Sequence, residues 1–174
     1  MANLKEIRNR ITSIGSTMQI TSAMKMVSAA KLKRAQDAIT QMRPYASKLQ
    51  DILQNLSSSL DVSDNAYGVT RDAKNILIIS VTSNRGLCGG FNSSIARMAR
   101  EHARQLISSG KQVKILNIGK KGRDAMKSQF ENLMLPLVDM RAIKNVGYGD
   151  ADKIGRMVID MFEAGDFDIA TLFY

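Results

Sequence analysis

The sequence predicts an α/β protein in two parts: a long N-terminal coiled-coil helix, then an open, mostly parallel α/β unit. Three observations predict it. An apolar heptad seam runs from Leu4 to Leu60. Beyond it, short β-type runs alternate with amphipathic helical stretches. Positive charge is concentrated at one end. Residues 1–50 hold nine Lys/Arg against Glu6 and Asp37, whereas the other 124 residues hold 16 bases and 14 acids.

Counting heptads from Leu4, the a and d positions fall on 17 residues, of which 14 are apolar. A seam this regular predicts a left-handed wrap around another helix. The span would be about 85 Å long at 1.5 Å per residue. No second heptad segment exists in the sequence, so the partner is expected from outside it. Thr21, Lys25 and Ser28 interrupt the seam with three successive polar residues, flanked by Met24, Met26 and Val27. Arg43-Pro44 predicts a kink or break near residues 40–44, because proline lacks the amide that the helix needs. A plain amphipathic helix folded onto its own domain is the alternative. The length and the charge weigh against it.

Residues 57–74 read as a helix end and linker, which sets domains at 1–60 and 75–174 with a linker at 61–74. Ile76–Val81 is a continuous apolar run of the kind found in buried parallel strands. Ser93–Ser109 reads as a helix facing inward through Ile95, Met98, Ala99, His102, Ala103 and Leu106. Val113–Ile118 is a second strand and Lys121–Phe130 a weak helix. Leu133–Val138 is apolar, but Pro136 demotes it to an edge strand or loop. Asp150–Ala164 is a helix with Ala151, Ile154, Met157, Val158, Met161 and Phe162 on one side, and Phe167–Tyr174 begins a further strand.

The loop Asn84-Arg85-Gly86-Leu87-Cys88-Gly89-Gly90-Phe91-Asn92 lies between a strand and a helix, where α/β folds cradle phosphates. Its G-x-x-G-G spacing matches neither common nucleotide signature, and no acid follows the second strand to hold a ribose. ATP and NAD binding are not expected. The glycines are read as permitting a tight turn and a close backbone approach. His102 is read as a core or boundary histidine, and Cys88 as a small buried thiol. With one Cys and one His, neither a disulfide nor a Cys/His metal site is expected. No catalytic group, cofactor or metal is assigned. No apolar run approaches the roughly 20 residues that span a bilayer. The acid-poor start shares features with a mitochondrial transit peptide, but its helical pattern runs on too far.

Two stretches resemble the gamma subunit of F-type, H+-transporting ATP synthase. One is Ile20-Thr21-Ser22-Ala23-Met24-Lys25-Met26-Val27-Ser28-Ala29-Ala30-Lys31-Leu32-Lys33-Arg34-Ala35-Gln36, with Arg43-Pro44-Tyr45 downstream. The other is Arg85-Gly86-Leu87-Cys88-Gly89-Gly90-Phe91-Asn92. Leu4-Lys5-Glu6-Ile7-Arg8-Asn9-Arg10-Ile11 also fits, and the resemblance covers the whole chain.

The resemblance implies a non-catalytic central-stalk rotor at the cytoplasmic face of a bacterial inner membrane. The helix would be one strand of an antiparallel coiled coil inside a ring of alternating alpha and beta subunits. The α/β unit would be an incomplete Rossmann-like foot beside the epsilon subunit and the c-ring. Proton flow would turn the shaft, and the shaft would drive the beta catalytic sites through ATP synthesis. Implied partner contacts are Arg8, Arg10, Met24, Lys25, Met26, Lys31, Lys33 and Arg34; Arg85, Gly86, Cys88, Gly89 and Gly90 form a structural loop. Asn84 stands where the family usually has Asp. The family has a second long helix at its C-terminus, so a sequence stopping at Tyr174 is expected to be truncated before it. A basic coiled-coil nucleic-acid binder is the alternative function, although stacking aromatics are absent from residues 1–44. A Rossmann-type oxidoreductase is a second alternative, which nicotinamide titration would reveal.

Overall fold

In the computed structural model, which describes residues 3–59, 67, 72–141, 143 and 146–174, the chain separates into two compact units, Met1–Val69 and Thr70–Tyr174. The linker assigned to 61–74 and the seam residue Leu60 fall largely outside the described residues.

The first unit is one helix, α1, Leu4–Ser59. Asn3 starts it, with its side-chain oxygen accepting from Lys5 N at 3.2 Å, and Glu6 adds a favourable negative charge in the first turn. Its 56 residues correspond to about 84 Å of rise. The helix runs unbroken through Pro44, so of the kink or break expected at residues 40–44 the break is absent. Proline removes one backbone donor, and exposure leaves the freed carbonyl to water, so the helix can tolerate it. Thr12, Thr17, Thr21 and Thr40 each donate their hydroxyl to the carbonyl four residues back, at 2.8–3.1 Å. Those bonds occupy hydroxyls that otherwise compete for backbone groups. Every described side chain from Asn3 to Leu56 is exposed, apart from half-buried Gly15.

The second unit is a parallel three-stranded sheet in the order β2-β1-β3. Its elements are β1 (Asn75–Val81), α2 (Phe91–Ser108), β2 (Gln112–Ile118), α3 (Lys120–Phe130), α4 (Tyr148–Glu163) and β3 (Ile169–Phe173). A 3-10 turn, Glu131–Leu133, follows α3. Central β1 pairs Ile76 with Val113 on one side and with Ile169 on the other. The Asp168 carboxylate fixes the start of that register by accepting from Lys74 N and Asn75 N at 3.0 and 2.8 Å.

Helices cover both sheet faces, which explains the unbroken apolar run in β1. On one face Ile76, Ile78, Val113 and Ile115 pack with Ala96, Ala99, Ala103, Met126 and Phe130. On the other Leu77, Ile79, Leu116 and Phe167 meet the half-buried Met157, Val158, Met161 and Phe162 of α4. Full burial of each Leu or Ile is worth about 1.5–3 kcal/mol. Two inward assignments change: Met98 and Ala151 are exposed, and Ala96 takes the core position beside Ile95. Leu133–Val138 does not form a full strand. Met134 and Val138 make isolated parallel bridges to Ile115 and Ile118, on either side of Pro136, which has no amide to donate.

Candidate functional site

Two regions carry the site residues expected from sequence, one in each unit. In α1 the basic residues lie within an exposed helical surface. At about 100° per residue, Lys31 lies almost beneath Met24, while Lys33 and Met26 point to the opposite side. Lys25 and Arg34 fall between. These residues therefore form a collar around the helix rather than a stripe. Among the described residues Arg8, Arg10, Lys25, Lys31, Lys33 and Arg34 make no ion pair; the one in α1 joins Lys48 to Asp51 at 3.4 Å. Met24 and Met26 keep 65% and 70% of their surface exposed. The collar thus offers uncompensated cations and soft apolar side chains in every direction.

In the α/β unit the glycine loop folds around one side chain, Asn92, in the first turn of α2. Its oxygen accepts from Ser83 N at 2.9 Å. Its amide nitrogen donates to Arg85 O at 3.2 Å and to Cys88 Sγ at 3.0 Å. Ser83 Oγ also donates to Arg85 O. The thiol of Cys88 is exposed, which corrects the expected buried cysteine. The loop bulges outward around Asn92, leaving the sulfur at its surface. Arg85 and Leu87 are exposed as well.

The close backbone approach expected within the loop lies elsewhere. A Cβ on Gly86 or Gly89 would meet nothing within 4 Å, although Gly89 needs its positive φ of +60°. Gly122, in the first turn of α3, is crowded against the Thr82 side chain, and Gly119, between β2 and α3, is the most crowded position. A Cβ there would sit 2.0 Å from Thr82 O, and its φ is +99°. This proximity lets the β1–α2 loop cap α3. Asn84 Oδ1 accepts from Lys120 N at 2.8 Å, Ser83 O from Lys121 N at 3.1 Å and Thr82 Oγ1 from Gly122 N at 2.8 Å. Three first-turn amides of α3 are thereby occupied, and a phosphate would have to displace those bonds to use them.

The resemblance ties Asn84 to a loop or cap interaction, whereas Asn92 and Thr82 are given no structural role from sequence. The available signal was turn chemistry: Asn, Ser and Thr clustered between a strand and a helix tend to bond backbone groups. His102 occupies the boundary position expected for it, half-buried with its ring 5.5 Å from that of Phe173. Among the described residues no His/Cys/Asp/Glu group could hold a metal ion. No described helix is long and apolar enough to cross a membrane.

The sequence model of the ATP synthase family matches residues 3–174. The chain belongs to the ATP synthase gamma family. It is 47% identical over 178 residues to the ATP synthase gamma chain of Sinorhizobium fredii, covering all of this chain and 60% of that relative. The gamma chain of Ruegeria pomeroyi is 49% identical, with 61% of it covered. The chain thus spans about three-fifths of the length of these curated relatives. Among solved structures, the central stalk and c-ring of Tetrahymena thermophila mitochondrial ATP synthase matches at 32% identity and TM-score 0.67, covering 89% of this chain and 64% of that one. The Euglena gracilis mitochondrial ATP synthase rotor shares the fold at 18% identity and TM-score 0.57, covering 95% of this chain and 54% of the other.

Proposed function

We propose that this chain is the rotor component of an ATP synthase, transmitting torque between a proton-driven c-ring and the catalytic beta subunits. The observation that carries the reading is α1: 56 helical residues with an exposed apolar seam and, at Arg8, Arg10, Lys25, Lys31, Lys33 and Arg34, exposed cations that make no ion pair among the described residues. A helix of that length with a wet seam needs a second helix, and a collar of cations on all sides suits an enclosing ring better than a single flat partner. Similarity to a central stalk supports the same reading.

In this reading the seam of Leu4, Ile7, Ile11 and Ile14, continued at Leu49, Leu53 and Leu56, takes the second strand of an antiparallel coiled coil. Arg8, Arg10, Met24, Lys25, Met26, Lys31, Lys33 and Arg34 face acidic and apolar surfaces of alpha and beta. The polar interruption at Thr21, Lys25 and Ser28 lets the shaft slide without locking. The loop from Arg85 to Gly90 is held by Asn92 as a rigid structural feature of the foot, next to epsilon and the c-ring. The rotor has no active site or cofactor of its own and is peripheral, at the cytoplasmic face of a bacterial inner membrane. Coupling then runs through a stiff element that distant sites both bias.

The test is assembly. Joined to the remaining two-fifths of the Sinorhizobium fredii gamma chain, the sequence should co-purify with alpha and beta subunits and support ATP hydrolysis. Reversing Lys31, Lys33 and Arg34 to Glu should lower that activity by about tenfold or more, in line with a few kcal/mol for close charge pairs at interfaces. Failure to co-purify, or indifference to the charge reversal, would remove the proposal or its collar respectively.

A further inference from the structure

The α/β unit has a cleft that the rotor reading does not use. It opens at the amino ends of β1 and β2, with a volume of about 490 Å3. Ile76 and Val113 form its floor, 2% and 5% exposed. Ile107 at the end of α2 forms one wall, and Leu133, Met134 and Leu135 form the other. The cleft exists because the segment after α3 first bridges β2 at Ile115, through Met134. Among the described residues no bridge covers the outer edge of β2 before that point. The volume lies in the usual range of small-molecule sites, about 300–1,000 Å3.

The rim is polar and asymmetric. Lys114 Nζ is matched by Asp166 Oδ1 at 2.7 Å. Lys111, immediately after the left-handed Gly110 that ends α2, makes no ion pair among the described residues. One cation at the mouth is therefore neutralised and one is not. An apolar trough with a single free ammonium suits an aliphatic chain bearing one negative charge. A dianionic head such as a phosphate monoester would find one free cation and an aspartate nearby. Met134 adapts its shape to a flexible chain.

We propose that this cleft binds a carboxylate-bearing aliphatic amphiphile, with its chain against Ile76, Val113, Leu133 and Met134 and its head on the Lys111 ammonium. The test uses the full 174-residue chain and sodium decanoate below its micelle concentration, followed by calorimetry. Decanoate should bind about tenfold more tightly than decylammonium or decanol, the scale of one partly desolvated charge pair. Lys111→Gln should lose that advantage and Lys111→Arg should keep it. A decanoate analogue with a terminal diazirine should label the peptides holding residues 107–114 and 132–135. Equal binding of the three head groups would overturn the proposal on the unmodified chain, without reliance on any variant. So would unchanged binding by Lys111→Gln, or labelling confined to residues 4–59, where exposed Leu and Ile side chains attract alkyl chains without selectivity.

Discussion

In the α/β unit Leu77, Ile78 and Ile115 lose all contact with solvent, whereas in α1 Ile11, Ile14, Ile39 and Leu53 keep more than half of their surface wet. The same residue types serve both regions, so hydrophobicity alone does not separate them. What differs is where the complementary surface is encoded. Each strand of the sheet meets helices from the next hundred residues. The seam of α1 is exposed, and in the rotor reading its complement is a second helix. Local regularity of a helix and stability of a fold are thus distinct properties, and α1 has the first without the second.

Side-chain truncation should expose that difference most strongly. Ile115→Ala, in the sheet, should lower the unfolding free energy of the α/β unit by about 2–5 kcal/mol, through lost transfer energy and a residual cavity. Ile39→Ala, in α1, should change stability by no more than about 0.5 kcal/mol in the isolated chain, and helicity should rise slightly because alanine favours helix. Urea titration followed by circular dichroism would compare the two. A cost above about 2 kcal/mol at Ile39 would mean that the seam is already buried in solution. Adding the C-terminal helix of a relative as a peptide should then turn Ile39→Ala into a costly substitution, while Ile115→Ala stays as it was.

A smaller effect lies where the loop caps α3. Asn84→Ala removes the acceptor for Lys120 N and should cost about 1 kcal/mol. Asn84→Asp should match or exceed the original, because a carboxylate keeps the bond and adds negative charge at a helix N-terminus. That pair of variants separates the cap from loop packing in general. If Asn84→Asp is as damaging as Asn84→Ala, the bond to Lys120 is not what holds the loop.

Much of this fold was legible in the sequence because periodicity reports burial directly. The strand read at 76–81 follows from a continuous apolar run, the helices on either side of β2 from a period near 3.6, and the length of α1 from its heptad seam. Pro44 reads as a kink or break, and the break is absent: one lost backbone bond does not end a helix of 56 residues. Cys88 misled because statistics of buried thiols say nothing about a loop wrapped around Asn92. The loop glycines misled in a more instructive way. Their clustering suggested close approach, yet the crowded glycines are Gly119 and Gly122, both set against Thr82, 37 and 40 residues earlier in the chain. Contacts of that separation leave no local trace. The collar of basic residues was readable from composition, but its distribution on all sides needed the continuous helix.

The smallest effect concerns charge at the edge of the sheet. Asp139 accepts from Arg141 Nε at 2.7 Å and from Arg141 N at 2.9 Å. Those bonds, the side-chain one first, hold its carboxyl below the ordinary aspartate range. A carboxyl whose folded pKa is depressed adds stability above its unfolded value, near 3.9, and loses it as pH falls through the lower folded value. The pair is at the surface, where water and salt screen it, so its contribution should be slight. The informative readout is the titration itself. In an NMR pH series, the Asp139 carboxyl carbon should show its midpoint below that of an aspartate in an unstructured peptide. Arg141→Gln should move the midpoint up toward the peptide value, with the fold unchanged. The difference in stability between the parent chain and Asp139→Asn should be constant from neutral pH down to about 5 and shrink below that. A midpoint that ignores Arg141→Gln would mean the backbone amide or the nearby Lys120 sets it. A stability difference that grows on acidification would reverse the sign required of a depressed carboxyl and exclude the pair as the cause.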